Sequence, residues 1–425
     1  MLKSLKKALS GLTLACIAAA PVAAASESAP STVFLNADLI SASKARLQNN
    51  TATPEAQASY LALIAEAEDA MKVGLLSVTD KTLMPPSGDI HDYFSISPYW
   101  WPNPKTADGL PWIRKDGNTN PDSKTTATDS TRIGLFTRSV RALGLAYYFS
   151  GDEKYAEQAT KMVRHWFFNA DTKMNPNLRY AQAVPGVDDQ RRSGLIDSRS
   201  LSDRLVDALA LLKGSNAWTA QDEEQMQAWM NQFLDWLITS EQGTAEMFSE
   251  NNHGTWMQTQ VAGIAYYTGR YDLAKSVVGK AKFRIREQFK KDGSQPEELA
   301  RTRGYWYSFF NLDALAHLAQ LGEKLDVNIW EHQYKDRSFI NGIDLMAKHL
   351  DADKWPWRKN DTDIKKGRFQ TFRMLSVYRK ADQALGQNRY QPVIEAIGFA
   401  NPEMSSSNLA QIWAERDVYL LYPKL

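Results

Sequence analysis

The chain has almost no cysteine: of its 425 residues, only Cys16 is one. That excludes a disulfide framework, a thiolate metal site and a cysteine nucleophile anywhere beyond the first few residues. There are six histidines, and none sits in an H-E-x-x-H pattern. G-x-S-x-G elbows and Gly-rich phosphate loops are absent too, so zinc-peptidase, serine-elbow and nucleotide chemistries have no sequence support. Nor is there an excess of charge of either sign. With 50 Lys and Arg against 49 Asp and Glu the formal net charge is +1, and no global field draws the chain to nucleic acid or to anionic lipid. If the ligand is an anion, its counter-charges must be local.

The first 25 residues read as a secretory leader. Lys3, Lys6 and Lys7 form a charged start, residues 8–20 an apolar stretch, and Ala23, Ala24 and Ala25 a small-residue cleavage site. Thr13, Leu14 and Ala15 ahead of Cys16 fit a lipoprotein box poorly. Cleavage before Ser26 removes three lysines and moves the charge to −2. No second run of about 20 apolar residues follows, so the expectation is a periplasmic or secreted protein that does not stay in the membrane. Without a disulfide, its core alone must stabilise it.

What is present is helical spacing. Ile133, Phe136, Val140, Leu143 and Tyr147 recur on one face up to Gly151, which stands where a left-handed cap belongs. Leu201, Leu205, Ala208, Leu209 and Leu212 do the same before Gly214. Thr219 with Asp222 three residues on resembles a capping box ahead of Met226, Trp229, Met230, Phe233 and Leu237. Further helical patterns cover 55–76, 153–168, 257–290, 303–322, 336–350, 366–383 and 388–398. Helices joined by short turns, without a fixed-length repeat, predict an all-α chain folded as an α/α toroid over residues 26–425. Two stretches break the pattern, 84–131 and 170–198. Long loops rich in Pro, Gly and Asn are usually functional.

The first loop contains "SPYWWPNP", where Pro98 and Pro102 bracket Tyr99, Trp100 and Trp101. Rigid aromatics on a polar loop suit either a packed plug or a platform for sugar rings. The second offers Asn177, Arg179, Tyr180 and Gln182, followed by "GLIDSR" ending at Arg199. "NNHGTW", Asn251 to Trp256, clusters hydrogen-bonding side chains at a helix start. In "ELARTRGYWY", Tyr305 falls on the apolar stripe, whereas Tyr307 lies off it with Arg303 four residues earlier. Glu250, Asp188, Asp189 and Asp197 are candidates for the paired carboxylates of a glycoside hydrolase.

Taken in order, these motifs resemble the alginate lyase superfamily. "NNHGTW" followed by "ELARTRGYWY" is similar to the paired signature of polysaccharide lyase families 5 and 38. "SPYWWPNP", "MNPNLRYAQAVPG" and "GLIDSR" are more similar to family 38, whose members cleave alginate or β-1,4-glucuronan. The resemblance spans roughly 85–360. It implies Asn252, His253, Arg301 and Tyr307 as catalytic residues on an incomplete α/α toroid, with Tyr99, Trp100, Trp101, Asn177, Arg179, Tyr180, Gln182, Arg199, Trp256 and Arg303 around the substrate. The segment from Arg301 to Tyr307 is one residue shorter than in family 5, which leaves Arg303 and Tyr305 as alternatives for those two roles.

The chemistry asks for these residue types. β-Elimination of a 4-linked uronate removes H5, acidic only if the C6 carboxylate is neutralised, and expels O4. Asn, His and Arg donors can neutralise it with no metal and no cofactor. Tyrosine, with a reference pKa of about 10, becomes a base only if cations favour its phenolate. The expected partner is an anionic polysaccharide such as polymannuronate or glucuronan. A glycoside hydrolase and a non-catalytic glycan-binding protein are the competing expectations.

Overall fold

The computed structural model describes residues 30–350, 354–361, 368–398 and 409–424. The predicted leader, residues 1–25, lies outside them. Helices dominate, and their contacts run round a circuit. Pro54–Met71 packs on Ser130–Ser150, which meets Val206–Leu212. Asn252–Tyr267, Gly304–Lys324, Arg368–Leu385 and Leu409–Arg416 follow, and the last returns to Pro54–Met71. Outer helices such as Glu153–Phe167 and Ala220–Thr239 back this ring. The expected toroid is therefore the fold.

Local sequence explains the helix ends. Thr53 caps the Pro54–Met71 helix through a bond from Ala56 N, and proline at the first position has no N–H to lose. The predicted box forms, with Thr219 and Asp222 each accepting the other's backbone N–H. Gly151 adopts φ +73 at the end of Ser130–Ser150, a conformation that costs glycine little. The aromatic core is continuous across layers, as where Phe136 stacks on Trp166 at 4.5 Å and Phe167 meets Trp229 edge-on at 4.5 Å.

One buried ion pair closes the ring, and two further charged side chains tie the N-terminal segment to it. The Glu66 carboxylate accepts Trp413 Nε1 and Arg416 Nη1, both at 2.8 Å, and joins the C-terminal helix to Pro54–Met71. Asp207 accepts the N–H groups of Val33, Phe34 and Leu35 at 2.6–3.3 Å. Lys324 Nζ takes the carbonyls of Thr32 and Leu35 at 2.7 and 2.8 Å. The N-terminal segment is thus strapped across one end of the ring.

The structure departs from the sequence expectation in several elements. The single pattern over 257–290 is three helices, Asn252–Tyr267, Tyr271–Gly279 and Ala281–Gln288, broken first at Gly269, where φ is +75. The pattern over 55–76 stops at Met71. Leu201–Leu205 is a π turn leading into Val206–Leu212, so the smooth apolar spacing hides an extra residue. The two long loops carry short strands that stitch them together. Phe94–Ile96 pairs in parallel with Tyr180–Ala183, and Trp100–Trp101 pairs antiparallel with Ile113–Arg114.

Removing Glu66 would leave the buried Arg416 guanidinium without its counter-charge. Glu66→Ala is expected to lower unfolding stability by about 3–5 kcal/mol, with Glu66→Gln losing less, as read from denaturant midpoints.

Candidate active site

Asn251 explains half of the polar cluster at 251–254: it is the N-cap of Asn252–Tyr267, and its Oδ1 accepts His253 N at 3.0 Å. Gly254 is there for space. A Cβ on it would collide with the Ser249 carbonyl and with the guanidinium of Arg284, which donates to the carbonyls of Ser249 and Met247 and pins the preceding turn. Asn252 and His253 remain for other work.

Each of those two is held by a buried carboxylate. Glu298 accepts Asn252 N through Oε1 and Asn252 Nδ2 through Oε2, both at 2.6 Å. Asn252 is 1% exposed, and its Oδ1 is buried without a hydrogen-bond partner. Glu246 Oε1 lies 2.7 Å from His253 Nδ1, while its Oε2 takes Arg192 Nη1 at 3.1 Å. With the proton of Nδ1 directed at Glu246, the Nε2 atom of the half-buried His253 ring is the one left to face a ligand. Burial pushes the Glu298 carboxyl up to about 7, although Asn252, His253 and Arg301 all favour its charge.

The second half of the site comes from the mouth of Gly304–Lys324. Arg301 Nη2 donates to Tyr307 Oη at 2.9 Å, and the guanidinium lies 4.1 Å over the same ring. Tyr307 Oη in turn donates to Tyr99 Oη at 3.0 Å. Asp116 accepts Arg301 Nη2 at 2.8 Å and Nε at 3.3 Å. Gly117, with φ +71 and no room for a Cβ against Thr302, lets that loop come so close. Burial would raise the Asp116 carboxyl, but Arg301 and Arg114 pull it down to about 2.

This geometry separates the alternatives left by the sequence. Tyr305 is a core residue whose ring meets Trp355 edge-on at 4.9 Å and whose hydroxyl reaches the His349 carbonyl. Tyr307 is the tyrosine beside Arg301. Arg303 instead stacks over Trp306 at 5.1 Å and reaches Tyr99 Oη at 3.5 Å. One expectation is reversed: burial, with Tyr99 adding to it, holds the Tyr307 phenol well above its ordinary value, and the opposing pull of Arg301 does not win.

The predicted binding residues divide. Tyr99, Arg303 and Arg199 belong to the site or its wall, the last lying 5.4 Å over Phe310, which stacks on Trp306. Trp100 and Trp101 are half-buried on their strand, each with a cation near its ring, Arg191 at 5.7 Å and Lys115 at 4.9 Å. Arg179 is exposed. Trp256 is a correction: 1% exposed, with Nε1 on the Phe310 carbonyl, it fills the core and offers no face to a sugar. Tyr180 is likewise buried, in its strand beside Phe94. Asn177 and Gln182 spend their amides on Asp92 and Asp197. Asp197 also accepts Tyr93 and Ser95, and Glu250, Asp188 and Asp189 are exposed, so the expected hydrolase carboxylates do not form a pair.

Sequence reading missed Glu246, Glu298 and Asp116. Glu298 stands in the "ELAR" motif, three residues before Arg301, and Glu246 seven before His253, so a search for carboxylates near the motif would have found both. Asp116 is 185 residues from Arg301 and gives no such signal.

The alginate lyase family model matches residues 77–357. The chain belongs to the alginate lyase family. A crystal structure of an alginate lyase from Bacteroides ovatus superposes with a TM-score of 0.82 at 32% identity, covering 90% of this chain and 99% of that one. Alginate lyase A1-III from Sphingomonas species A1 superposes with a TM-score of 0.54 at 15% identity over 84% of this chain and 90% of that one. A histidine variant of A1-III complexed with a tetrasaccharide gives 0.58 at 14%, over 93% and 98%. These two show a shared fold. No curated protein matches the sequence. As a family member, this alginate lyase homologue is a polysaccharide lyase.

Tyr307→Phe removes one hydroxyl and almost no volume. It is expected to abolish turnover while leaving the melting temperature and polymer binding nearly unchanged. Tyr305→Phe should keep activity, because only a 3.3 Å contact to a carbonyl is lost. A live Tyr307→Phe beside a dead Tyr305→Phe would reverse the assignment.

Proposed function

We propose that the enzyme cleaves 4-linked polyuronates, alginate or β-1,4-glucuronan, by β-elimination, with the chain's Arg301, Tyr307, His253 and Asn252 at the reacting sugar. The observation that carries this reading is the Tyr307 hydroxyl set between Arg301 and Tyr99 at 2.9 and 3.0 Å. The A1-III complex with a tetrasaccharide supports an oligosaccharide substrate for this fold. The segment 1–25 supports export to the periplasm or medium.

Arg301 already binds one carboxylate, that of Asp116, through two of its nitrogens. A uronate C6 carboxylate has the same shape and charge, so the same fork can take it and draw charge from C5. Asn252, turned into Glu298, contributes by fixing the helix mouth and by its remaining amide N–H. Tyr307 acts on H5 and O4. In D-mannuronate and D-glucuronate these lie on one face, and one tyrosine can remove the first proton as phenolate and return it to O4. L-Guluronate is inverted at C5. There His253 Nε2 is the base, with Tyr307 as acid.

Incubation with polymannuronate, polyguluronate and glucuronan should yield products with a UV-absorbing unsaturated end. New reducing ends without that absorbance would mean hydrolysis, and neither would mean binding alone. His253→Gln keeps a donor but no base, so activity should fall much further on polyguluronate than on the other two; equal losses would confine His253 to positioning.

The buried phenol also sets the pH dependence. Its ionised fraction grows tenfold per pH unit, so kcat on polymannuronate should climb through neutrality instead of levelling near 6.5, the ordinary value for histidine. KM should rise as pH passes about 7, where Glu298 ionises beside the incoming carboxylate. A kcat plateau beginning below neutrality would argue against Tyr307 as base on that substrate.

A further inference from the structure

Below Tyr307 the same helix turns another set of side chains into the middle of the ring. Phe309, Asp313, His317 and Gln320 follow one another at helical spacing and line a cavity of about 280 Å³ that touches none of Asn252, His253, Arg301 or Tyr307. It adjoins the active site all the same. Arg199 in its wall lies on Phe310, Phe310 stacks on Trp306 at 4.6 Å, and Trp306 meets the Tyr307 ring at 4.9 Å.

Seven Arg or Lys side chains and five carboxylates line this space. Two of the carboxylates are committed elsewhere, Glu66 to the ring seam and Asp207 to the N-terminal strap. The rest form no tight ion pair among the described residues: Asp417 stands 3.7 Å from Arg141, Asp203 3.8 Å from Arg204 and Asp313 3.7 Å from His317. Among the described residues, Asp203 Oδ1, Asp417 Oδ1, Gln320 Oε1 and Arg416 Nε are buried there without a hydrogen-bond partner. Burial and Lys380 hold the His317 imidazole down to about 3, so it is a neutral hydrogen-bonding group. Polar atoms left open in such numbers are hydrogen-bonding points for water or for a polar ligand that displaces it.

The shape limits the occupant. Phe34, Gln320, Lys380 and Tyr422 line both this cavity and a second one beside Asn36–Leu39, with Tyr422 accepting Gln320 Nε2 at 2.6 Å and Phe34 held by the strap on Asp207. The volume lies just below the ~300 Å³ at which pockets begin to take drug-sized ligands, so a single sugar ring fits and a chain segment does not. Net positive lining favours an acid. Side-chain carboxylates and an amide oxygen with open lone pairs favour hydroxyl donors, and Phe309 supplies an apolar surface.

We propose that this cavity is a site for one hexuronate ring, with its carboxylate among Arg373, Lys380 and Arg204 and its hydroxyls on Asp203, Asp417 and Gln320. The choice of a uronate over other sugar acids rests on the polyuronate reading; the charge and size of the site do not. The ring can be the end residue of a bound polymer or a released monomer, since both present the same chemistry.

Calorimetric titration of the whole protein tests this without turnover. D-Glucuronate and D-mannuronate should bind at low salt, and neutral D-glucose should not. Arg373→Gln, at the exposed side of the cavity, and Lys380→Met, in its buried wall, should each weaken binding roughly tenfold or more, as for losing one charge-assisted hydrogen bond. If Lys380→Met fails to fold, Arg373→Gln decides alone. No heat from either acid, equal heat from glucose, or full affinity in Arg373→Gln would overturn the site. Digests of polymannuronate separate the sources. A wider spread of product lengths in Arg373→Gln marks the cavity as a chain-end site, and unchanged lengths with lost inhibition by added monomer mark it as a monomer site. Unchanged lengths together with unchanged inhibition would also overturn it. If no polymer is cleaved at all, the lyase chemistry fails while the titration still decides the cavity.

Discussion

Glu298 joins the two helix mouths that make the site. Its carboxylate accepts both the backbone and the side chain of Asn252, the first residue of one helix, and it stands three residues before Arg301, which leads into the next. A helix start has four N–H groups without intrahelical partners. Here one of them is satisfied by a side chain from the neighbouring helix entry instead of by a local cap. The position of Asn252 relative to Arg301 and Tyr307 is therefore set by a short tether, and not only by packing of the long helices behind it. Burial of that tether raises the Glu298 carboxyl to about 7, which keeps negative charge low next to the place where the proposed mechanism puts a uronate carboxylate.

Most of the ring was legible in the sequence because amphipathic spacing survives in the helices that build it. Ile133, Phe136, Val140 and Leu143 are buried as their spacing singled out, and so are Met226, Trp229, Met230, Phe233 and Leu237, with Tyr147 half-buried. Errors came where one chain feature served two purposes. Gly269 ends a helix in what reads as a continuous apolar run, because the next helix is apolar as well. The π turn at Leu201–Leu205 adds a residue without disturbing the pattern on either side.

At the site, residue type was easier to read than environment. The Asn252, His253, Arg301 and Tyr307 set stood in local motifs, but the burial of Tyr307 did not. Its place off the apolar stripe suggested an open face, yet it is 4% exposed, because Tyr99 and Arg301 cover it. That cover is long-range: Tyr99 is 208 residues away in sequence. The same distance hides Asp116. Trp256 erred in the opposite direction, as a motif residue whose role is to pack against Phe310 and His317. A motif records which residues travel together, not which of them meet the ligand.

The Asp116 contact bears on where affinity can come from. Arg301 rests paired, and a uronate carboxylate that takes its fork displaces one carboxylate with another. Such an exchange gains little electrostatic energy, since the desolvation of Arg301 is already met by its resting partner. Affinity for a polyanion must then be drawn from groups that the exchange leaves alone. On the proposed reading these include the half-buried Trp100 and Trp101 at the loop strands and the cation-rich lumen beyond Phe310. The near-neutral charge of the whole chain permits this arrangement: positive charge is concentrated inside the ring, where low dielectric and short range make it count.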